Sequence, residues 1–249
     1  MSNLSNQDVQ LAQLMFVSSA TQQHPLGTRG YTNDGRAFRY AKAGGADLAA
    51  GQVLQSPAIT PGHLALALAT SVGATTIGSI QVAATCPSLM AANVYAEGFL
   101  QISAGVGQGY NYQISSHAAV SAGATGTFNL YPEDALVVAL GTTTIVALIA
   151  NKYNGVIQMP VTTATGVCVG VAAYVITQTQ YGWIQTWGDC PVLMSGAGAL
   201  GDPLVGVSAT AGGAATATAA SLLINPVIGY LRQISVDTKY NSVDLKVSP

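Results

Sequence analysis

The chain has 249 residues, enough for one large domain or two small ones whose core needs neither disulfide nor metal. Ten acidic and eight basic residues make up 7% of it, with a net charge of -2, so it lacks the dense basic footprint of a nucleic-acid binder. Mean hydropathy is +0.39, yet the most apolar stretch, Leu136 to Ala150, holds Gly141 and three threonines and falls short of the roughly 20 apolar residues of a bilayer-spanning helix.

Residues 1–26 read as an extended arm. The start has no basic residue before Arg29 and no signal-peptide pattern. Asn6 or Asp8 offers a cap for one short helix, and the cluster Leu11, Leu14, Met15, Phe16, Val17 is too small to fold alone. The expectation is an arm with little structure of its own, docked on a neighbouring subunit or on the shell of a larger assembly.

Beyond the arm the pattern is of short strands divided by Gly and Pro. Arg36 to Lys42 alternates, with Phe38 and Tyr40 on one side and Ala37, Arg39 and Ala41 on the other. Gly51 to Gln55, His63 to Leu68, Ile77 to Ala84, Gly98 to Ile102, Tyr110 to Ser115 and Thr127 to Leu130 follow. Leu136 to Leu140 and Thr142 to Ala150 precede a turn at Asn154-Gly155 and a strand from Val156 to Met159. Val167 to Thr177 is expected to pair with Gly182 to Trp187; Pro191 to Met194, Gly201 to Val207, Ile234 to Val236 and Val243 to Val247 complete the series. The Ala-rich tract 209–220 reads as exposed strand or loop because Gly212-Gly213 interrupts it. The fold class is therefore all-β: sandwich- or barrel-like modules with Gly-rich turns and short helices at most. The domain division expected is an arm over 1–26, then either a β-rich domain over 27–160 and a second β-rich module over 161–249, or one continuous domain.

A catalytic constellation is hard to assemble. His24 lies in the polar arm and reads as a surface residue. His63 follows Pro61-Gly62, and His117 follows Ser115-Ser116, but neighbouring residues on a strand face opposite ways. There is no GxSxG elbow. Glu97 has no second carboxylate to complete a glycosidase pair, and Glu133-Asp134 after Pro132 reads as a turn. Gly105, Gly107 and Gly109 mimic a nucleotide loop but lack the third fingerprint glycine, the following helix and a Walker lysine, so a hairpin loop is expected. Cys86, Cys168 and Cys190 show no metal-ligand spacing and read as small buried hydrophobes. The expectation is no enzyme, no catalytic residues, no cofactor and no metal.

The aromatics carry more information. Tyr and Trp are enriched at interfaces, and Tyr181-Gly182-Trp183-Ile184-Gln185-Thr186-Trp187-Gly188 alternates them with polar groups. The same run could stack on sugar, so a carbohydrate-binding module is a rival reading. The interface residues expected are Leu11, Leu14, Phe16, Arg36, Arg39, Tyr181, Trp183 and Trp187. Scarce surface charge fits a chain covered by neighbours better than a free monomer.

The run from Gly35 to Gly45 through Leu48-Ala49-Ala50-Gly51 resembles the opening of a group of tailed-bacteriophage head proteins, as do Asn93 to Gly98 and Asn151 to Val156. The closing pattern, Tyr181 to Gly188, then Gly201-Asp202-Pro203-Leu204 and Ile228-Gly229-Tyr230, is similar to phage capsid decoration (cement) proteins. The resemblance spans roughly residues 27–247. It implies a structural virion protein, usually a homotrimer, on the capsid exterior after assembly in the host cytoplasm. Its partner would be the major capsid protein, bridged between neighbouring subunits, with no direct nucleic acid and no membrane. A phage tail or fibre structural protein is the other structural alternative.

Overall fold

A computed structural model describes residues 8–69 and 76–249. Residues 1–7, including the expected cap Asn6, lie outside the described residues. The chain forms two compact units, Met1–Ala58 with Lys152–Pro249, and Ile59–Asn151. This differs from the expected linear division at 160: the second unit is inserted into the first, and the first closes only when β-strands from both ends of the chain pair.

The first unit is built on an 11-stranded sheet. Its strands are β1 (Val9–Gln10), β2 (Arg29–Tyr31), β3 (Ala37–Ala43), β4 (Val53–Gln55), β11 (Asn154–Gln158), β12 (Cys168–Ala172), β13 (Tyr181–Leu193), β14 (Pro203–Val205), β15 (Ala215–Thr216), β16 (Val227–Leu231) and β17 (Tyr240–Lys246). A four-residue helix, α1 (Ala219–Leu222), is capped by Thr218 and Ser221. The all-β expectation holds.

The sheet curls into two rings that share β13. In the first, β3 pairs in parallel with β11, then β4, β12 and β13 follow antiparallel, and β13 returns to β3 with Trp183 opposite Tyr40. The second half of β13, from Trp187 to Leu193, pairs instead with β17. That ring continues through β16, β14 and β15, and the Met194–Ala214 bridge brings it back to the end of β13. The partner change falls beside a register shift between Gln185 and Trp187, the kind of irregularity that bends a strand at a barrel corner. Closure of this kind removes exposed edges.

Aliphatic side chains, three alanines among them, and Tyr153 fill the first ring. Ala41, Ala43, Leu48, Leu54, Val156, Val169, Ala172, Ile176 and Ile184 belong to one buried cluster. The second ring is filled by Cys190, Val192, Met194, Leu204, Ile228, Val243 and Leu245, among others.

The second unit holds β5 (Leu66–Ala67), β6 (Gln81–Thr85), β7 (Phe99–Ala104), β8 (Asn111–His117), β9 (Thr125–Leu130) and β10 (Ile145–Ile149). They lie in the order β5-β10-β7-β8-β9-β6. A bridge between Leu68 and Ala84, with the Ala69 amide donating to the Ala83 carbonyl at 2.9 Å, ties the last strand to the first and closes a six-stranded barrel. Leu100, Ile102, Ile114, Phe128, Val146 and Leu148 fill it. Gly105, Gly107 and Gly109 all adopt positive φ between β7 and β8, as a hairpin loop requires.

Candidate interaction surface

The arm is the first correction. Its described part, from Asp8, lies across its own unit. Val9 and Gln10 pair in parallel with Gly30 and Tyr31, and a 3-10 turn over Gln13–Phe16 follows. Ser19 and Tyr181 then exchange backbone hydrogen bonds at 2.8 and 2.9 Å. Leu11 and Met15 enter a buried cluster with Phe38, Tyr40 and Trp183. The physical reason is the alternation of β3: Ala41 and Ala43 belong to the ring's interior cluster, whereas Phe38 and Tyr40 belong to the cluster under the arm. That large aromatic face needs a cover, and the arm's apolar residues supply it.

The cover is tight. A Cβ at Gly30 would stand 2.6 Å from Leu11 Cδ1 and 2.8 Å from the Trp183 ring, so the absence of a side chain there lets the arm seat. The Tyr174 hydroxyl donates to the Val17 carbonyl, and the Phe16 ring meets the Tyr174 ring edge-on at 6.4 Å. The Gln23 amide donates to the Tyr40 hydroxyl at 3.1 Å. His24, expected at the surface, lies 5.3 Å from the Tyr40 ring and 5.4 Å from the Trp183 ring, and burial lowers its pKa below 6.5.

The expected interface residues therefore separate into groups. Leu11 and Trp183 are each 3% exposed and serve the fold. Leu14 and Phe16 are each 53% exposed, on the outward side of the arm. Tyr181 is half-buried, stacked on Tyr40 at 6.0 Å, with the Lys42 ammonium 5.4 Å from its ring. Arg36 pairs with Asp34 at 2.9 Å and lies over Phe38. Arg39 donates to Gly27 O, Ser248 Oγ and Pro249 O. Trp187 carries the Lys246 ammonium at 4.0 Å. Arg29, Tyr31, Arg36 and Trp187 line an open cleft of about 530 Å³. Trp183 and Trp187 do not share a flat exposed platform, because Trp183 is under the arm.

Elsewhere in the first unit, apolar side chains stand out into solvent at positions outside the set of interface residues expected from the sequence. Leu223 is 86% exposed and Ile224 80%, just after α1. Ile224 rims a groove of about 290 Å³ whose other walls include Met159, Val167, Val207, Pro226 and Ile228. From Tyr153 to Leu231 the sequence carries only Asp189 and Asp202 as charges, so this surface has almost no charge to repel an apolar partner. The signal that could have found it is Leu222-Leu223-Ile224, three large apolar residues in a row beside a glycine- and alanine-rich tract.

The chemistry-bearing candidates are engaged in structure. Both His117 ring nitrogens have partners, the Tyr95 amide and the Ala118 carbonyl. Ser115 Oγ donates to the Asn129 and Leu130 carbonyls, and Ser116 Oγ accepts from Asn129. Burial pushes the Cys168 and Cys190 thiols up to about 11 and about 12, so both are protonated near neutrality; Cys190 is buried, and Cys168 lines the groove beside Ile224. Among the described residues no group of three or more His, Cys, Asp or Glu is placed to hold a metal ion. No known protein family, curated protein or solved structure matches the chain.

Proposed function

We propose that this chain is a structural virion protein: a capsid decoration protein that binds the outer surface of an icosahedral phage head as a homotrimer and bridges neighbouring major capsid subunits. The observation that carries the reading is the exposed apolar pair Leu223 and Ile224, set in a stretch from Tyr153 to Leu231 whose only charges are Asp189 and Asp202. Contiguous exposed apolar groups on a folded chain mark contact sites, and closed symmetry keeps such contacts finite. Barrels closed through β3–β13 pairing and through the Met194–Ala214 bridge suit a passive building block. The resemblance of residues 35–51 and 181–230 to phage head and decoration proteins supports the same reading.

Such a protein stabilises the assembled shell because it binds that state and not the free subunits, and many weak contacts at symmetry-related sites add through avidity. The test is a heat challenge of particles with and without the chain. Particles lacking it are expected to release their DNA at lower temperature, and adding the purified protein back is expected to restore resistance. Equal heat resistance with and without the chain contradicts the proposal.

The carbohydrate-binding alternative is weakened by the burial of Trp183, which leaves Tyr181 and Trp187 without the central member of their platform.

A further inference from the structure

We infer that the turn over residues 91–98 in the second unit is held by a two-histidine latch that acid opens. The turn leaves the barrel after Met90 and returns at β7, with Asn93 and Glu97 both in the left-handed region at φ 57° and 59°. For residues with a Cβ this conformation carries a cost, and it persists where surrounding contacts over-determine it.

At Asn93 and Tyr95 those contacts converge on His117, the last residue of β8, whereas the Glu97 amide donates to the Ile114 carbonyl at 2.8 Å and its carbonyl accepts from Asn151 Nδ2 at 3.1 Å. The Asn93 amide donates to the His117 carbonyl at 3.1 Å, and the His117 amide donates to Asn93 Oδ1 at 2.9 Å. The Tyr95 amide donates to His117 Nε2 at 3.0 Å. Because Nε2 accepts, the ring proton sits on Nδ1 and is donated to the Ala118 carbonyl at 2.9 Å. On the far side of Tyr95, His63 Nδ1 lies 2.6 Å from the Tyr95 hydroxyl, and its Nε2 faces the Ser88 carbonyl at 3.4 Å. One tyrosine is thus held through its backbone by one imidazole and through its hydroxyl by another. Both histidines and Tyr95 are buried.

Protonation breaks this arrangement at a definite atom. A proton added to His117 Nε2 turns the acceptor of the Tyr95 amide into a second donor, so two N–H groups confront each other and the turn must move. The surroundings offer the new charge little help. The ring meets Phe128 of β9 and Tyr95 of the turn. The nearby Cys86 thiol and the Tyr95 phenol are both pushed up by burial and remain neutral. The second unit contains no Lys or Arg, and its carboxylates are Glu97, Glu133 and Asp134. Burial lowers the His117 pKa, the His63 imidazole lowers it further, and the Ala118 carbonyl only partly opposes them. With the folded value below the unfolded one, the His117 contact contributes its full stability above the unfolded value of 6.5, and that stability is lost as pH falls through the folded value.

The experiment is hydrogen exchange on the full chain at about pH 7.5 and about pH 5, corrected for the intrinsic pH dependence of exchange, for the wild type and for H117Q. Glutamine keeps a carbonyl acceptor for the Tyr95 amide but does not titrate. Wild-type protection over 91–98 is expected to drop on the order of tenfold at the lower pH, while Leu100 and Phe128 keep theirs; H117Q is expected to show no such drop. Unchanged wild-type protection over 91–98, or an equal drop in H117Q, overturns the latch. Should H117Q fail to fold, the wild-type protein decides alone by NMR: the Tyr95 amide shift is expected to follow the His117 ring titration, and a Tyr95 amide that ignores it overturns the proposal.

Discussion

The indole of Trp183 meets the Tyr40 ring across the β3–β13 pair, centroids 5.1 Å apart at 63°. Leu11 and Met15 of the arm close over the pair. Of the aromatic residues that look most like a binding platform in the sequence, Trp183 and Tyr181 belong to a small core laid on the outside of a barrel, whereas Trp187 lines the open cleft.

Trp183→Ala is therefore expected to behave as a core mutation, costing about 3–5 kcal/mol. Trp187→Ala removes a stacked ammonium and is expected to cost about 1 kcal/mol or less. Denaturant melts of the two variants check the contrast. Equal effects would mean that Trp183 is not buried under the arm.

Truncating residues 1–18 is expected to lower the melting temperature and shift tryptophan emission to the red, because it uncovers Phe38, Tyr40 and Trp183. Leu11→Ala alone is expected to cost about 2–3 kcal/mol. A truncation that changes neither emission nor stability would show that the arm is not part of this core.

His24 gives the arm a pH dependence with a known sign. Its folded pKa lies below 6.5 because burial between Tyr40 and Trp183 disfavours the charged ring. Its contribution is complete above the unfolded value and is lost as pH falls through the folded one. Tryptophan emission is expected to redden on acidification in the wild type and to respond less in His24→Gln.

Gly170 sits in β12 at φ +146°, and a Cβ there would stand 2.5 Å from the Gln185 carbonyl oxygen. Neither atom can yield without breaking the β12–β13 pairing. Gly170→Ala is expected to destabilise the first unit by about 2–4 kcal/mol, read as a lower denaturant midpoint.

Most strands are legible in the sequence because Gly and Pro punctuation and period-two alternation are local signals. Ala37–Ala43, Phe99–Ala104 and Thr125–Leu130 all fall where that pattern places them, within a few residues. What local pattern does not carry is pairing. Gly182 to Trp187 and Pro191 to Met194 read as two strands, yet they run together as β13 through Gly188 at φ +84°, because one strand serves two rings. Asn154-Gly155 reads as a turn but lies inside β11, where Gly155 takes φ +84° beside the register shift against β3. His63 reads as a strand opening and instead closes a 3-10 turn that delivers it to Tyr95. Interface residues are expected by type, and type does not distinguish Trp183, which the arm covers, from Leu223, which stands 86% exposed on its own unit.

In solution the purified chain is expected to run at about three times its 25.2 kDa mass by light scattering, or to assemble to that state on the shell. Replacing Leu223 and Ile224 by Ser is expected to weaken assembly without lowering the stability of the fold, since both are exposed. A double variant that binds heads as the wild type does would remove this surface from the interface.

A cryo-EM map of particles that carry this chain decides whether it decorates the head. Density is expected on the exterior of the head, straddling capsomer boundaries at three-fold or quasi-three-fold positions, with the first unit's Leu223–Ile224 surface in contact with a neighbour. Density confined to the tail, or heads whose exterior lacks the chain altogether, would contradict it.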